Sequence, residues 1–352
     1  MSEKNRSELS ELGEFGLIDH LTGDIKLVNE SSLYGVGDDA AVIDAGDRVK
    51  LVSTDLLVEG VHFDLTYTPL KHLGYKAAIV NFSDIYAMNG SPEQITVSLA
   101  VSNRFSLEAL EEIYKGIKLA CEKYHVDMVG GDTTSSLSGL FLSITVIGSA
   151  QKEDVVYRNT AKENNLICVS GDLGAAYMGL MVLEREKQVY KVNPDMQPDL
   201  EGLDYILERQ LKPEARKDVC EMLKGIGIRP TAMIDISDGL ASDIMHICKG
   251  SRLGCQIFTD KLPIDSVTIS TAAEFQIDPN TAVMNGGEDY ELLFTIDQAD
   301  YEKIKDINGI SVIGHMAEEA AGLYLTTPDG KSIEIKAQGW DGLKKAPSPD
   351  KK

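Results

Sequence analysis

Six short acidic clusters, each beside glycine, serine, threonine or asparagine, are distributed along this chain of 352 residues. Most fall where a predicted strand or helix begins or ends, and Asp55, Asp132 and Asp235 follow predicted strands. Carboxylates at strand ends face the crevice in which mixed α/β sheets bind ligands. The pattern therefore favours a fold whose element ends converge on one acidic site. The clusters are Gly37–Asp39, Ser53–Asp55, Asn81–Asp84, Gly130–Thr134, Asp235–Gly239 and Gly286–Asp289.

Oxygen-bearing side chains dominate these clusters. Serine and threonine hydroxyls can ligate Mg²⁺ or cap a helix, and glycines let the backbone approach phosphate oxygens closely. Capping explains any single cluster, but not six of them, nor Asp84, which lies inside the helix predicted over 70–88 with Asn81 on the same face. Because no histidine or thiol pattern accompanies them, the clusters favour a shared site for Mg²⁺, Ca²⁺ or Mn²⁺ over zinc.

The formal net charge of −22 restricts the partners of this chain. Nucleic-acid binding needs clustered Lys and Arg, so no nucleic-acid partner is expected. Free anions would be repelled too, so a phosphate-binding protein of this charge needs cations that bridge to the phosphates. Composition leaves open the alternative that an acidic surface simply keeps the protein soluble.

The length and the order of the predicted elements indicate a two-domain α+β protein. We expect an N-terminal domain over residues 1–150, built on a mixed sheet with its helices, predicted over 70–88 and 106–124, on one face. A C-terminal α/β domain is expected over residues 151–345, and residues 346–352 are expected to form a disordered tail.

Cysteine usage and hydropathy indicate the compartment. Five scattered cysteines without a Cys-x-x-Cys pair fit reduced thiols better than disulfides or a zinc site. No apolar stretch reaches the roughly 18 residues that span a bilayer, and the charged N-terminal segment lacks the apolar core of a secretory signal. We therefore expect a cytoplasmic protein with no membrane partner.

Two glycine-containing segments match nucleotide-binding motifs only in part. Gly171, Gly174 and Gly179 lack the dinucleotide-binding spacing and are more simply explained as a tight strand-to-helix turn. The segment Asp329–Ser332 ends like a P-loop, but Leu325 stands where that motif requires glycine. The chain is therefore not expected to be a Walker-type NTPase.

Six motifs in a fixed order carry a family resemblance. They are G-V-G-D-D-A-A-V-I (35–43), S-T-D-L-L-V-E-G-V-H-F (53–63), N-F-S-D-I-Y-A-M-N-G (81–90), G-G-D-T-T (130–134), I-D-I-S-D-G-L (234–240) and N-G-G-E-D-Y-E-L-L-F (285–294). In this order they resemble the thiamine-monophosphate kinase family, from about residue 11 to about residue 342. Single motifs are shared across a superfamily that includes aminoimidazole ribonucleotide synthetase and selenophosphate synthetase, but the combination is specific. The resemblance implies a two-domain α+β enzyme that uses ATP and forms homodimers through its N-terminal sheets.

The resemblance also implies roles for individual residues. Asp55, Asp132 and Asp238 would be the catalytic residues. ATP would be contacted by Tyr114, Gly131, Asp132, Arg158 and Ser237, and the thiamine moiety by His62, Glu288 and Trp340. Several Mg²⁺ ions would be held by Asp39, Ser53, Thr54, Asp55, Asp84, Asp132, Asp235 and Asp238.

The reaction implied is transfer of the ATP γ-phosphoryl group to thiamine monophosphate, which gives thiamine diphosphate and ADP. The acceptor phosphate has a second pKa of about 6, so its attacking oxygen is already ionised and no general base is required. Two departures from the family pattern, at Glu163–Asn165 and at Lys212, leave the acidic motifs intact. Two alternatives remain. The chain could be another ATP-using synthetase of the superfamily, or a non-catalytic regulator that binds a nucleotide or a metal.

Overall fold

The computed structural model describes residues 9–336, with side chains from residue 16 onward. Trp340 and the tail predicted over 346–352 lie outside these residues. In the described part of the chain, helix α1 (Leu9–Thr22) precedes the first of two mixed sheets.

The first sheet comprises β1 (Ser32–Tyr34), β2 (Ala41–Asp44), β3 (Arg48–Val58), β4 (Ser91–Val101), β5 (Asp127–Ser135) and β6 (Leu140–Gln151). Their spatial order is β1-β2-β3-β6-β4-β5. Strands β4 and β5 pair in parallel, whereas the other neighbours are antiparallel. Strand β5 therefore lies at an edge of the sheet.

Helices α2 (Leu70–Ala87) and α3 (Leu107–Tyr124) cover one face of this sheet. Since side chains alternate along a strand, every second residue of β6, such as Leu142 and Ile144, is buried beneath the helices. The residues between them, such as Phe141 and Thr145, are half-exposed. Within residues 9–336, no helix covers the opposite face of the sheet.

The second sheet comprises β7 (Leu166–Ser170), β8 (Ala232–Asp235), β9 (Leu253–Phe258), β10 (Leu292–Ile296), β11 (Ile310–Glu318), β12 (Leu323–Thr326) and β13 (Ser332–Glu334). Their order is β13-β12-β9-β11-β7-β10-β8, and β9 and β12 pair in parallel. No helix within residues 9–336 has the length and hydropathy to cross a bilayer. The helices of this half are α4 (Ala175–Val192), α5 (Asp204–Leu211), α6 (Lys217–Gly225), α7 (Leu240–Ser251), α8 (Ser266–Glu274), α9 (Pro279–Asn285) and α10 (Tyr301–Ile304).

The predicted two-domain α+β architecture is confirmed, including the mixed N-terminal sheet with helices on one face. The boundary placed after residue 150 stays a prediction. The turn at 163–165, where this chain departs from the family pattern, uses Asn164 at a φ of 66°. Asparagine tolerates this left-handed conformation, so the turn forms without the family's glycine.

Two of the three acids expected to follow strands lie inside them instead. Asp55 is in the body of β3 and Asp132 is in the body of β5, whereas Asp235 does end β8. Glycine is disfavoured in strands, so the glycines before Asp132 predicted a strand end. Strand β4 runs so close to β5 that a Cβ on Gly131 would lie 1.9 Å from the Val97 carbonyl oxygen. Glycine is therefore required inside β5, and the strand-end prediction was wrong for Asp55 and Asp132.

Candidate active site

Four aspartates from separate segments are grouped where α2 passes between the two domains. Asp39 precedes β2, Asp55 lies in β3, Asp84 lies in α2 and Asp235 ends β8. Each carboxylate lies in the electrostatic field of at least one of the others. We call these four residues the aspartate cluster. All four are among the metal ligands expected from the sequence.

Serine hydroxyls fix two members of the aspartate cluster. Ser53 donates a hydrogen bond to Asp84 Oδ2 at 2.5 Å, so β3 is tied to α2. Ser83 donates to Asp235 Oδ2 at 2.5 Å, so α2 is tied to the C-terminal domain. Hydrogen bonds to carboxylates are stronger than those between neutral groups. The cluster is therefore held in one arrangement by residues of both domains.

Burial and mutual repulsion disfavour the charged forms of these carboxyls. Burial raises the pKa of Asp55 to about 6, and burial together with the Asp55 charge raises the pKa of Asp235 to about 6. Burial followed by neighbouring carboxylates raises the pKa of Asp39 and of Asp84 well above the usual range. The charge of Arg158 lowers the pKa of Asp39 and of Asp235 but does not offset burial and repulsion, so the cluster favours a further cation.

The chemistry of the aspartate cluster fits a divalent cation. Asp39 Oδ2 and Asp55 Oδ2 are buried and accept no hydrogen bond from any described residue. No three His, Cys, Asp or Glu side chains within residues 16–336 are grouped tightly enough to hold a metal ion by themselves. Mg²⁺ usually takes one or two carboxylates and completes its shell with water and substrate phosphates. The cluster therefore suits Mg²⁺ that arrives with a phosphorylated ligand.

The raised pKa of Asp55 predicts how stability depends on pH in the metal-free protein. The folded chain binds this proton with a pKa of about 6, against about 4 in an unfolded chain. The folded state thus holds more protons between these values, and the Asp55 contribution to stability falls as pH rises. Asp55→Asn has no carboxyl group at this position, so its stability does not fall with pH for this reason. In EDTA, its unfolding free energy relative to wild type should increase by roughly 2–3 kcal/mol from pH 4 to pH 7.

Urea unfolding of both proteins across this pH range measures the difference directly. A difference that stays constant from pH 4 to pH 7 would contradict the raised pKa of Asp55. The same comparison with Asp64→Asn, at a half-buried interdomain ion pair with Lys187, serves as a control for the loss of one carboxylate.

A cavity of about 120 Å³ opens beside the aspartate cluster. Asp55, Asp84 and Asp235 line one part of its wall, and Ser237 follows Asp235 along it. His62 and Glu288, which the resemblance assigns to the thiamine moiety, also line it, together with Lys76. The cavity thus brings together expected metal, ATP and substrate residues from both domains.

Arg158 lies at the other side of the cluster, next to Asp38 and Asp39. Its backbone N–H donates to Asp38 Oδ2 at 3.1 Å and its Nε to the Gly37 carbonyl oxygen at 2.8 Å. One guanidinium nitrogen is 3.9 Å from Asp39 Oδ1. Arg158 therefore anchors the first acidic motif and presents a cation at the rim, where the resemblance places ATP phosphates.

The remaining expected residues of the N-terminal domain lie apart from the cavity. Asp132 is in register with Ser98 of β4, and Ser98 with Ser143 of β6, so its side chain belongs to the uncovered face of the sheet. Thr54 is on that face too, hydrogen-bonded by Thr145. Three inter-strand spacings separate β5, which carries Asp132, from β3, which carries Thr54, so these two strands lie about 14 Å apart. Gly131 shares the edge strand β5, and Tyr114 packs from α3 against the N-terminal core.

Asp243 of α7 was not expected from the sequence. It is 1 % exposed, accepts the backbone N–H of Asp238, and leaves Oδ2 without a donor among the described residues. Burial, then the charges of Asp238, Asp235 and Asp39, raise the pKa of Asp243 well above the usual range. An acid in the first turn of a helix is common because of the helix dipole, so its sequence position gave no functional signal. It supports the turn that carries Ser237 and Asp238.

The glycine-rich turn before α4 is structural, as expected. Asp289 accepts the backbone N–H of Gly174 at 2.8 Å and that of Ala176 at 3.3 Å. Its carboxylate therefore occupies the position that a phosphate would take at this helix N-terminus. The neighbouring Glu291 pairs with Arg209 at 2.8 Å and with Arg216, so these two acids of the G-G-E-D-Y-E segment anchor its loop.

Comparisons with known proteins identify the family. Residues 37–150 match the model of AIR synthase related protein, N-terminal domain. The chain is 33% identical over 345 residues to thiamine-monophosphate kinase of Bacillus subtilis, covering 95% of this chain and all of the relative. It is 35% identical over 333 residues to that of Aquifex aeolicus, covering 94% and 98%. The chain belongs to the thiamine-monophosphate kinase family.

Solved structures support this membership. AaThiL complexed with AMPPCP and TMP superposes with a TM-score of 0.82 at 31% identity, covering 96% of this chain and 100% of that one. The structure of a HypE–HypF complex matches at 19% identity with a TM-score of 0.69. The second likeness shows a shared fold alone. The family resemblance read from the six motifs is confirmed.

Proposed function

We propose that this enzyme transfers the γ-phosphoryl group of ATP to thiamine monophosphate, forming thiamine diphosphate and ADP. The chain has thiamine-monophosphate kinase relatives over nearly its full length. The observation that carries the proposal is that the aspartate cluster lies beside a cavity lined by residues of both domains. ATP is the co-substrate, and Mg²⁺ is proposed as the cation that the cluster holds.

The chain's own residues orient two anionic reactants. Asp39, Asp55, Asp84 and Asp235, steadied by Ser53 and Ser83, would hold Mg²⁺, which when bound neutralises phosphate oxygens. Because the acceptor phosphate is already ionised, catalysis requires alignment and charge neutralisation rather than a base.

ATP and the thiamine moiety are proposed to contact different residues in and around the cavity. Ser237 and Arg158, on either side of the aspartate cluster, are proposed to contact ATP phosphates. Gly131 and Tyr114 retain the ATP roles implied by the resemblance. Glu288 and His62 are proposed to bind the thiamine moiety, with Trp340, outside the described residues, packing on its ring.

The direct test is an assay of purified protein with ATP, Mg²⁺ and thiamine monophosphate, followed by separation of thiamine phosphates. The proposal predicts one thiamine diphosphate per ADP. ATP hydrolysis without thiamine diphosphate would contradict it and favour another ATP-using member of the superfamily. Absence of both reactions would favour a non-catalytic binding protein.

Mg²⁺ should stabilise the folded protein through the aspartate cluster. At pH 7.5, millimolar Mg²⁺ added with a non-hydrolysable ATP analogue is expected to raise the unfolding free energy by about 1–3 kcal/mol over the analogue in EDTA, since a ligand that binds only the folded state stabilises it. Asp84→Asn should lose most of this effect, while Asp64→Asn keeps it. Thermal unfolding at matched ionic strength measures the difference. An equal stabilisation of wild type and Asp84→Asn, or an equal effect of NaCl, would contradict a specific site.

The uncovered face of the N-terminal sheet supports a homodimer. Phe141 and Thr145 lie half-exposed on this face, and Leu56, which is in register with Ser143 on the same face, is 53% exposed. Thr54 and Asp132 share the face but are too far apart to act on one cation. A second copy packed against it would bring another Asp132 towards Thr54, which reconciles their implied shared role with their separation in one chain.

Light scattering at micromolar concentration should give about twice the 38.4 kDa chain mass. Phe141→Lys is expected to shift the protein to the monomer, because it places a charge in the buried interface. Ile269→Lys, at an equally apolar position on α8 that is 46% exposed, should leave the dimer intact. A wild-type mass of 38.4 kDa across this range would overturn the dimer.

A further inference from the structure

Lys76 of α2 connects the two domains inside the cavity. Its Nζ lies 3.0 Å from Glu288 Oε1 and donates to the Gln210 backbone oxygen at 2.9 Å. The Gln210 side chain closes the set, because its Nε2 donates to Glu288 Oε2 at 2.8 Å. Both carboxylate oxygens of Glu288 are therefore held, one by each partner. We call Lys76, Gln210 and Glu288 the Glu288 clamp.

The Glu288 clamp holds an otherwise unfavourable arrangement. The Lys76 side chain is 7% exposed, and a buried ammonium is costly unless it is paired. The Glu288 backbone has a φ of 59°, a conformation that non-glycine residues adopt infrequently. Its N–H is fixed by the Ser237 carbonyl at 2.8 Å. A Cβ on the preceding Gly287 would lie 2.5 Å from that same oxygen, so the close approach requires glycine. Backbone and side chain of Glu288 are thus both constrained.

Three residues of α2 line the cavity, one on each successive turn of the helix. Lys76, Val80 and Asp84 follow one another at intervals of four residues on α2 and all line the cavity. Lys76 therefore lies about 12 Å along the helix from Asp84. If phosphoryl transfer takes place at Asp84, Glu288 lies towards the opposite end, where the ring system of the acceptor would be.

Electrostatics explain why Glu288 needs a cation. Asp55, Asp84 and Asp235 line the same cavity, and among residues 9–336 its wall contains one lysine and no arginine. Without Lys76, these like charges would drive the Glu288 carboxylate outwards. Two of the three Lys76 donors are already committed to Glu288 and Gln210, which favours a role in positioning Glu288 over a role as the phosphate-binding cation.

We propose that Lys76 is a positioning residue that, with Gln210, fixes Glu288 for recognition of the acceptor's ring system, in which one ring carries an amino group and the other a positive charge. The free lone pairs of Glu288 then accept from the amino group or face the ring cation. This inference rests on the proposed function. It assigns Lys76 to selection of the acceptor and not to ATP binding or phosphoryl transfer.

Steady-state kinetics of Lys76→Met test the proposal. KM for thiamine monophosphate should rise by roughly 10- to 100-fold, by analogy with the loss of residues that orient the ligands of a metal site. KM for ATP and kcat should change by less than about threefold. Lys76→Arg should recover most of the loss. Lys187→Met, which breaks another interdomain ion pair, 2.8 Å from Lys187 to Asp64, should leave all constants unchanged.

A double-mutant cycle with Glu288→Gln separates positioning from direct contact. If Lys76 acts through Glu288, KM for thiamine monophosphate should be no higher in the double variant than in Glu288→Gln alone. Gln210→Met, which removes no charge, should also raise KM for thiamine monophosphate, and it replaces Lys76→Met if that variant does not fold. A fall in kcat at constant KM, or multiplying effects in the cycle, would overturn the inference. A wild type that makes no thiamine diphosphate would overturn the proposed function and, with it, this inference.

Discussion

Asp55→Asn is expected to lower kcat by roughly 1,000-fold or more, because it removes a charged oxygen that the proposed mechanism uses to hold the neutralising cation. Its fold should persist. The Asp55 carboxylate is buried among like charges and its Oδ2 accepts no hydrogen bond from the described residues. Neutralising it therefore relieves repulsion. Coupled assay of ADP release, together with thermal unfolding, measures both effects.

Asp64→Asn provides the matched control. The change is chemically identical, and it falls at an ion pair between Asp64 and Lys187 outside the cavity. Its kcat should stay within about threefold of wild type. Activity of Asp55→Asn equal to that of Asp64→Asn would remove Asp55 from the site, whereas loss of cooperative unfolding in Asp55→Asn would assign it a structural role.

Thiamine itself is expected to be a poor acceptor, with kcat/KM roughly 10⁴-fold below that of thiamine monophosphate. Its hydroxyl brings no charge to the aspartate cluster and would need a base. His62 does not supply one at Nδ1, since that atom accepts the Val58 N–H at 3.0 Å. In the neutral ring the proton is then on Nε2, which donates rather than accepts.

Competition between the two acceptors at fixed ATP and Mg²⁺ measures this discrimination. Thiamine should inhibit only weakly, through its ring contacts at Glu288. Comparable kcat/KM values for thiamine and thiamine monophosphate would contradict the assignment of the acceptor phosphate to the aspartate cluster.

Long periodic segments were predicted well from the sequence. The helix expected over 70–88 is α2, Leu70–Ala87, and the one expected over 106–124 is α3, Leu107–Tyr124. Ser106 caps α3 by accepting the Ala109 N–H. Such helices are specified by local apolar spacing and capping, so no tertiary information is needed to place them.

Residues whose roles depend on distant partners were not predictable. Lys76 precedes Asp84 by two helical turns, and that spacing was a usable signal, but its partners Gln210 and Glu288 come from the other domain. Asp132 was expected beside the other metal ligands because the family motif groups them. The strand order instead places it on an edge strand, since β6 and β4 lie between β3 and β5.

Transfer of labelled phosphate tests the central claim most directly. With [γ-³²P]ATP, Mg²⁺ and thiamine monophosphate, the label is expected in thiamine diphosphate for wild type and for Asp64→Asn, and the initial rate of labelling should be lower by roughly 1,000-fold or more for Asp55→Asn. Label found only in inorganic phosphate, or equal labelling of thiamine diphosphate by Asp55→Asn, would contradict phosphoryl transfer at the aspartate cluster.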